Sequence, residues 1–287
     1  KYIDTLRNYE SRMKYKYDLK ELKTICSTGS PLSEDGFKYV YNNIKKNIHL
    51  ASISGGTDIV SCFVLGNLYQ PVYLGEIQNK GLALDVKVYS EKGRSLKNSK
   101  GELVCVNPFP SMPLKFWKDK NDIKFRNAYF NKYKNIWHHG DYAEIKNTGG
   151  FIIYGRSDTT LNPGGVRLGT AEIYSEVEKF DEIREAIVVG QSWDNDIRII
   201  LFIIMNKNFI IDDSLIKKIK LQIRKNASPR HVPSKIIVVN DIPRTKSGKI
   251  VELAVKNTIE GNEIKNIEAL VNPEVLKEYK NIKELKY

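Results

Sequence analysis

The sequence predicts a mixed α/β fold that becomes α+β in its last third. Two observations carry this prediction. Near the start, a short apolar strand runs through a glycine–serine turn into an amphipathic helix, which is the repeating unit of α/β sheets. Further on, short strands fill residues 72–155, and strands then alternate with helices. The chain has 287 residues, which is enough for two ordinary domains, and we expect them over residues 1–157 and 158–287.

The first strand–turn–helix unit lies between residues 22 and 44. Residues 22–26 predict a strand, Gly29-Ser30-Pro31 predicts the turn, and Ser33 is a suitable helix N-cap. The apolar face of the predicted helix is formed by Phe37, Val40, Tyr41 and Ile44. Such sheets bind ligands at the carboxyl ends of their strands, so the turn is either a ligand-binding segment or a structural turn.

A second strand-like run, residues 48–53, leads into Ser54-Gly55-Gly56-Thr57-Asp58. Glycines at such a position allow backbone amides to approach an anion. Thr57 offers a hydroxyl group, and Asp58 offers the hard oxygen ligand that Mg²⁺ prefers. The spacing is not that of a P-loop, and a structural glycine turn is the alternative.

Residues 72–155 show the pattern of a small β-rich subdomain. Leucine and valine alternate over residues 82–88, which predicts a strand. Near the end of the subdomain, Asp141 follows a glycine, an arrangement suited to accepting two ribose hydroxyl groups. His139 alone is more often structural, and the two neighbouring histidines lack a third donor at metal-ligand spacing.

The segment from Gly155 to Glu172 contains too few apolar residues to be explained by packing. Arg156 and Arg167 flank Gly164-Gly165, and their guanidinium groups suit phosphate or ribose oxygens. The diglycine permits positive φ or a close backbone approach. A surface linker with solvated arginines is the alternative.

A compact α+β domain is expected beyond this segment. Thr170 and Asp212 are the predicted caps of two helices. Strands are predicted over residues 186–189, 197–205 and 235–239, and a further helix over 250–258.

The loop at residues 242–249 presents three cations. Lys249 follows Gly248 at the junction with a helix and is the best placed to direct a charge at a ligand. A solvated basic turn is the alternative. Residues 262–287 predict one or two docked terminal helices, to which we assign no chemistry.

Composition narrows the classes of function. The net charge is +12, but the basic residues are spread and no aromatic-interleaved motif appears, so we do not expect nucleic acid as a partner. The longest apolar run, residues 199–205, is far shorter than the roughly 18 residues of a membrane span. Cys26, Cys62 and Cys105 are odd in number and widely spaced, which favours reduced thiols and a cytoplasmic protein.

In order and spacing these signals resemble the adenylate-forming acyl-CoA synthetases. The matching motifs are Gly29-Ser30-Pro31-Leu32-Ser33, Gly55-Gly56-Thr57-Asp58, Gly101-Glu102-Leu103, His139-Gly140-Asp141 with Gly155-Arg156-Ser157-Asp158, and residues 243–249. The resemblance implies the C-terminal part of the adenylate-forming fold. Residues 1–157 would be the end of the large AMP-binding domain, with a β-barrel-like subdomain, and residues 158–287 the small C-terminal domain.

The resemblance also implies roles for matching positions. Lys249 would stabilise the adenylation transition state, and Asp158 would be the hinge between the two domains. Asp58 would approach Mg²⁺, although many family members have Glu there. Gly165 and Arg224 would contact coenzyme A. The nucleotide would be bound by Gly29, Ser30, Pro31, Thr57, Asp58, Asp141, Arg156 and Arg167.

For the reaction, the resemblance implies ATP-dependent, AMP-forming ligation of a short acid to coenzyme A, with ATP and Mg²⁺. The segments that most resemble members activating acetoacetate are 52–59, 137–141, 161–174 and 228–237. A ligase for acetate or propionate is the first alternative. The family's phosphate-binding loop belongs upstream of Gly29 and is not in this sequence. We therefore expect a C-terminal fragment that is inactive alone and needs the N-terminal part as partner. An inactive remnant of a split gene is the second alternative.

Overall fold

The computed structural model describes residues 2–9, 13–264 and 266–287. These residues form two compact units, residues 1–153 and 154–287. The predicted boundary after residue 157 falls inside the second unit, and its assignment to enzyme domains remains a prediction. Each helix of the described ranges is too short or too polar to cross a membrane.

Short strands dominate the first unit. Its strands are β1 (Thr24–Ser27), β2 (His49–Ser52), β3 (Ser54–Gly56), β4 (Ser61–Leu65), β5 (Asn79–Lys80), β6 (Val86–Tyr89), β7 (Ser95–Leu96), β8 (Gly101–Cys105), β9 (Trp137–Ile145) and the start of β10 (Phe151–Arg156), whose last three residues belong to the second unit. Its helices are α1 (Tyr2–Asn8), α2 (Met13–Lys16), α3 (Glu34–Tyr39) and α4 (Ile123–Tyr129), with a π-helical turn at Val40–Ile44 and a 3₁₀ turn at Lys120–Asp122.

Three sheets arise from these strands within the described residues. β1 and β2 pair in parallel, β3, β4 and β5 pair antiparallel, and the largest sheet has the order β10–β9–β8–β6–β7. The β-rich pattern of the sequence is thus present. The predicted strand over residues 82–88 is wrong at its start, because Ala83 has φ 61° and Leu82 is 96% exposed.

The first unit has a large aromatic core beside its sheets. Trp137 of β9 is buried and lies edge-on to Phe109, with ring centroids 5.4 Å apart. The start of α3 is capped as predicted, since the Ser33 hydroxyl accepts from the Gly36 amide at 3.3 Å. The helix then buries Phe37 against Leu50 of β2 in a separate cluster.

The second unit is one sheet covered on both faces. Its strands are β11 (Ile183–Trp193), β12 (Asp196–Met205) and β13 (Lys235–Val238), and its α-helices are α5 (Thr170–Val177), α6 (Asp213–Asn226) and α7 (Glu252–Glu260). α5 and α6 pack on one face, while α7 and the C-terminal residues pack on the other. Burial on both faces explains the continuous apolar run in β12, the central strand.

Helix ends of the second unit test three predictions. Asp212 caps α6 as predicted, accepting from the Leu215 amide at 2.7 Å. Thr170 is not a cap but the first helical residue of α5. The cap is Gly169, whose amide donates to Glu172 Oε2 at 3.1 Å. The expected terminal helices are 3₁₀ rather than α-helical, at Ile267–Ala269, Pro273–Tyr279 and Lys283–Leu285.

Candidate functional site

The predicted ligand-binding turns of the first unit leave the same end of the β1–β2 pair. Ser27 and Ser52 are opposite each other at the carboxyl ends of these strands, and the Ile53 amide donates to Ser27 O at 2.9 Å. Gly29 adopts φ 95° directly after β1, and Ser30 and Pro31 are exposed. This is the sheet edge at which α/β proteins bind ligands.

Residues 54–56, expected to be a turn, form a strand that pairs with β4. A Cβ atom on Gly55 would collide with the backbone of Ser61 and Cys62. A Cβ atom on Gly56 would occupy the place of the Asp58 carboxylate. Both glycines are therefore explained by close contacts rather than by positive φ. The turn that follows exposes Thr57 and Asp58.

The Asp58 carboxylate is held by a tyrosine that the sequence did not reveal. The Tyr129 hydroxyl donates to Asp58 Oδ2 at 2.5 Å. The Tyr129 ring stacks on Trp137, with centroids 3.6 Å apart and planes 14° apart. Tyr129 is separated from Asp58 by 71 positions, so no local pattern could have linked them.

Asp141 lies in β9 and is 6% exposed. Its Oδ2 accepts a hydrogen bond from the Ser54 hydroxyl at 3.2 Å and lies 3.7 Å from His139 Nε2. His139 and Asp141 flank Gly140, which has φ 81°, and the 3.7 Å separation shows that their side chains lie together at this irregular part of the strand. The other side of the His139 ring meets Phe63 edge-on, with centroids 4.6 Å apart. The structure thus brings Asp58 and Asp141 together around His139, since a Cβ on Gly56 would lie beside both the Asp58 carboxylate and the His139 ring.

In the second unit, three of the predicted residues gather around one 3₁₀ turn, Ser157–Thr159. Arg156 Nε lies 3.6 Å from Asp158 Oδ1. Arg167 donates from Nε to Thr160 Oγ1 at 3.0 Å and from Nη2 to Ser157 O at 3.1 Å. Arg167, which follows the diglycine in sequence, therefore stabilises the turn through these hydrogen bonds.

The diglycine adopts the positive φ that the sequence suggested. Gly164 and Gly165 have φ 59° and 73°, and a Cβ on either would meet nothing nearby, so conformation rather than space requires glycine here. The Gly164 amide donates to both carboxylate oxygens of Asp196 at 2.9 Å. Arg224 is exposed in the last turn of α6.

Lys249 is exposed on a tight loop whose first and last residues, Arg244 and Ile250, form an antiparallel bridge. The Thr245 amide donates to Lys249 O at 2.9 Å, and Gly248 has φ 82°. The lysine thus leaves a defined hairpin with its side chain in solvent.

Glu252, the first residue of α7, is a second residue that sequence reasoning missed. It accepts from the Tyr174 hydroxyl at 2.8 Å and lies near the hydroxyls of Thr159 and Thr170. Burial raises the pKa of Glu252, and the nearby Asp158 raises it further, whereas the three hydroxyl groups lower it. Glu252 therefore joins the Asp158 turn to the helix that follows the Lys249 loop.

Comparisons with known proteins cover the whole chain. Residues 172–249 match the family described as AMP-binding enzyme C-terminal domain. The acetoacetyl-coenzyme A synthetase of Rhizobium meliloti (strain 1021) is 54% identical over 286 residues, which are 100% of this chain and 44% of the relative. That of Gallus gallus is 47% identical over 271 residues, 94% of this chain and 41% of the relative. The solved acetoacetyl-CoA synthetase of Streptomyces lividans matches with a TM-score of 0.90 and 36% identity, covering 100% of this chain and 44% of that chain.

Fold and motifs together define the class: the chain has the fold of the C-terminal part of the adenylate-forming enzymes, as predicted. Within that class it is a homologue of the acetoacetyl-CoA synthetases along its entire length. The chain spans only 44% and 41% of the length of the two curated relatives.

The glycine contacts predict different effects for two neighbouring substitutions. Gly55→Ala forces a methyl group into the β4 backbone, so we expect it to lower the free energy of unfolding by about 1–3 kcal/mol. Gly56→Ala meets the flexible end of Asp58 and should cost about half of that or less. Urea denaturation followed by tryptophan fluorescence measures both, and equal losses would contradict the contacts described.

The raised pKa of Glu252 predicts a pH dependence. A carboxyl whose pKa is higher in the folded state stabilises the fold at low pH, and this contribution is lost as pH rises through the folded pKa. Glu252→Gln keeps an acceptor for Tyr174 but does not ionise. We expect the variant to lose less stability than the parent between about pH 4 and pH 8, in urea unfolding monitored by circular dichroism. Parallel pH profiles would show that Glu252 ionises as readily folded as unfolded.

Proposed function

We propose that this chain belongs to an enzyme that activates acetoacetate with ATP. The reaction forms acetoacetyl-AMP with release of pyrophosphate, and coenzyme A then displaces AMP to give acetoacetyl-CoA. The observation that carries the proposal is the similarity to acetoacetyl-CoA synthetases, which extends over 100% of the chain at 54% identity. The exposed Lys249 hairpin and the Asp58–Asp141 cluster supply the charges that such chemistry needs.

Lys249 is proposed as the residue that stabilises the adenylation transition state. The carboxylate of the acid must attack the α-phosphate of ATP, which brings two anions together, so a cation is needed where charge accumulates. An ammonium group on a flexible stem delivers a compact charge to that place. The exposure of Lys249 at the end of a defined hairpin supports this role.

The nucleotide is assigned to the carboxyl end of the β1–β2 pair and its neighbours. Residues 29–31 would line the adenine and ribose, and Thr57 would contact the α-phosphate. Asp141, which is buried, would accept the ribose hydroxyl groups, because carboxylates form strong charge-assisted hydrogen bonds. Arg156 is proposed as a further nucleotide contact. Arg167 is proposed as a phosphate contact.

Mg²⁺ is proposed to arrive with ATP as part of the substrate and to meet Asp58. One carboxylate suits this ion, which keeps waters and substrate phosphates as its other ligands. In the described residues no group of three or more His, Cys, Asp and Glu side chains forms a dedicated metal cage. The exposed position of Asp58 beside Thr57 fits an ion that enters bound to phosphates.

The residues proposed to act in the second half-reaction belong to the second unit. Asp158, exposed in a short turn just after the division between the units, is proposed as the hinge. Gly165 would border the pantetheine arm of coenzyme A, and Arg224 would pair with its phosphates. Cys26, Cys62 and Cys105 form no disulfide in the part of the chain described, which suits the cytoplasm as the proposed location.

An N-terminal polypeptide is proposed as the partner of the first unit. Among the described residues β1 pairs with β2 alone, and Thr24 and Cys26 of β1 are exposed. Parallel strands are normally covered on both faces and rarely stand as a pair. A further strand from the upstream part of the enzyme would complete this sheet.

A fusion protein tests the proposal. The upstream part of the Rhizobium meliloti acetoacetyl-CoA synthetase would be joined to this entire chain, and acetoacetate-dependent formation of AMP and acetoacetyl-CoA would be measured. We expect activity from the fusion and none from this chain alone. If the fusion folds but is inactive, while the parental Rhizobium enzyme is active in the same assay, the result would favour the alternative that this chain is an inactive remnant. Acid preference is measured on the full-length enzyme that contains this chain together with its own upstream part. A preference of that enzyme for acetate or propionate would refute acetoacetate as the acid.

Lys249→Ala in the fusion should separate the two half-reactions. We expect adenylate formation to fall by about 10²–10³-fold, because a charge at the transition state is lost. Thioester formation from supplied acetoacetyl-AMP should be unchanged. Pyrophosphate release and thioester formation are followed separately, with Lys246→Ala as the matched control from the same hairpin. Equal loss of both steps would disprove the role given to Lys249.

Tyr129→Phe should weaken the use of Mg²⁺ by the fusion. Removal of the hydroxyl leaves the Asp58 carboxylate free to rotate, and loss of such an orienting group typically costs about 10–100-fold in metal affinity. We expect the Mg²⁺ concentration for half-maximal adenylation to rise by about tenfold, with the KM for acetoacetate unchanged. Tyr133→Phe is the control, since its hydroxyl donates to Ser90 O at 2.9 Å instead. An unaltered Mg²⁺ dependence would separate Tyr129 from the metal.

A further inference from the structure

The Lys249 hairpin, residues 244–250, is incomplete by itself. Its internal hydrogen bonds include Gly248 N to Thr245 O at 2.8 Å and Lys249 N to Thr245 Oγ1 at 3.1 Å. It carries three cations, Arg244, Lys246 and Lys249, of which Arg244 is paired with Glu185. A hairpin this short is marginally stable without further contacts, so something outside it must fix the direction of Lys249.

The C-terminal residues provide a neighbouring strand for this hairpin. Leu270 forms an antiparallel bridge with Thr245. The Lys246 amide donates to Ala269 O at 3.3 Å, and the Val271 amide donates to Arg244 O at 2.9 Å. Leu270 is 7% exposed and packs with Ala254 of α7, so the added strand is itself anchored in the core.

Asn272 fastens the base of the hairpin through its side chain. Its Oδ1 accepts from the Arg244 amide at 2.9 Å. Its Nδ2 donates to Asp241 Oδ2 at 2.8 Å and to Ile242 O at 3.0 Å. One amide group thus uses its acceptor and both its donors, on Arg244 at the start of the hairpin and on Asp241 and Ile242 just before it.

Two further side chains of the C-terminal segment hold the same stretch. The hydroxyl of the buried Tyr279 donates to Asp241 O at 2.8 Å. Glu278 Oε2 accepts from the Asn240 amide at 3.0 Å and from Asn240 Nδ2 at 3.2 Å. Backbone atoms of residues 240–242, 244 and 246 are therefore hydrogen-bonded to the C-terminal segment.

We propose that residues 266–279 are a positioning element for Lys249, with Asn272 as its principal positioning residue. This inference rests on the proposed role of Lys249 in adenylation. The segment would act through the hairpin rather than as a catalytic group. It sets the place from which the ammonium group extends, and a displacement of about 1 Å in such a group can cost about 10²-fold in rate.

Amide hydrogen exchange on this chain tests the inference without catalysis. Asn272→Ala removes three hydrogen bonds, none of which involves the Thr245 or Lys246 amide. We expect exchange at these two amides to accelerate by about tenfold or more, because local opening of the hairpin becomes easier. Protection in β11 and β12 should stay unchanged, which shows that the unit remains folded.

Asn206→Ala is the matched control for this measurement. Asn206 is also half-buried and its Nδ2 donates to a backbone carbonyl, Asp181 O, at 2.7 Å. The control should leave exchange of the hairpin amides unchanged. Unaltered exchange at Thr245 and Lys246 in Asn272→Ala would overturn the inference. Should Asn272→Ala not fold, Glu278→Ala removes an exposed contact to the same stretch. Exchange at the Thr245 and Lys246 amides should then accelerate in Glu278→Ala, and unaltered exchange would overturn the inference.

Activity of the fusion gives the second readout. Asn272→Ala should lower kcat for adenylation by about 10–100-fold, keep the KM for ATP within about twofold, and spare thioester formation. The exchange Asp241→Asn with Asn272→Asp restores the bond between these side chains and the acceptor for Arg244 but not the donor to Ile242 O, and should recover part of the rate. If Lys249→Ala impairs adenylation and Asn272→Ala does not, only the positioning role is wrong. If Lys249→Ala leaves adenylation intact, the proposed function fails whatever Asn272 does.

Discussion

The stacking of Tyr129 on Trp137 is the contact on which the candidate site of the first unit depends. Trp137 is 1% exposed, so the indole is fixed by the aromatic core. The Tyr129 ring stacked on it is therefore restricted in its motion as well. The hydroxyl is thereby aimed at Asp58, an exposed residue with few other restraints. Gly56 completes the arrangement, because any side chain at that position would displace the Asp58 carboxylate. Packing in the aromatic core and the absence of a side chain at Gly56 together determine the position of the Asp58 carboxylate.

In the second unit, the loops that carry charged residues are held in place by polar contacts rather than by aromatic packing. Its sheet buries both faces, which leaves the rims as the places where loops carrying charge can lie. Glu252 ties the Asp158 turn to α7, and Asn272 ties the start of the Lys249 hairpin to the C-terminal segment. In both cases a side chain that is distant in sequence stabilises the conformation of a short loop. The proposed hinge and the proposed catalytic lysine thus share α7 as a common support.

Sequence reasoning found the residues whose type and local spacing carry chemistry, and it missed those whose role is tertiary. Asp141 and Lys249 each follow a glycine, Asp58 lies two residues after one, and the motif series that contains them led to the family. Tyr129 and Asn272 act across 71 and 28 positions respectively, which no periodic pattern records. Thr170 was mistaken for a cap because a hydroxyl residue opened a helical pattern, whereas the preceding glycine amide is satisfied by Glu172.

The choice of a neutral amide at the base of the Lys249 hairpin follows from the charge of its surroundings. The chain has a net charge of +12, and the hairpin concentrates three cations. An anchor made of exposed ion pairs would weaken as salt screened it, and a carboxylate at position 272 would face Asp241. An asparagine avoids both difficulties, because it donates to the acidic side chain and accepts from the Arg244 amide at the same time. Arg244 itself is paired with Glu185, which removes one cation from the repulsion within the loop. Lys249 can therefore keep its charge available for an anionic substrate, while uncharged hydrogen bonds fix the backbone from which it extends.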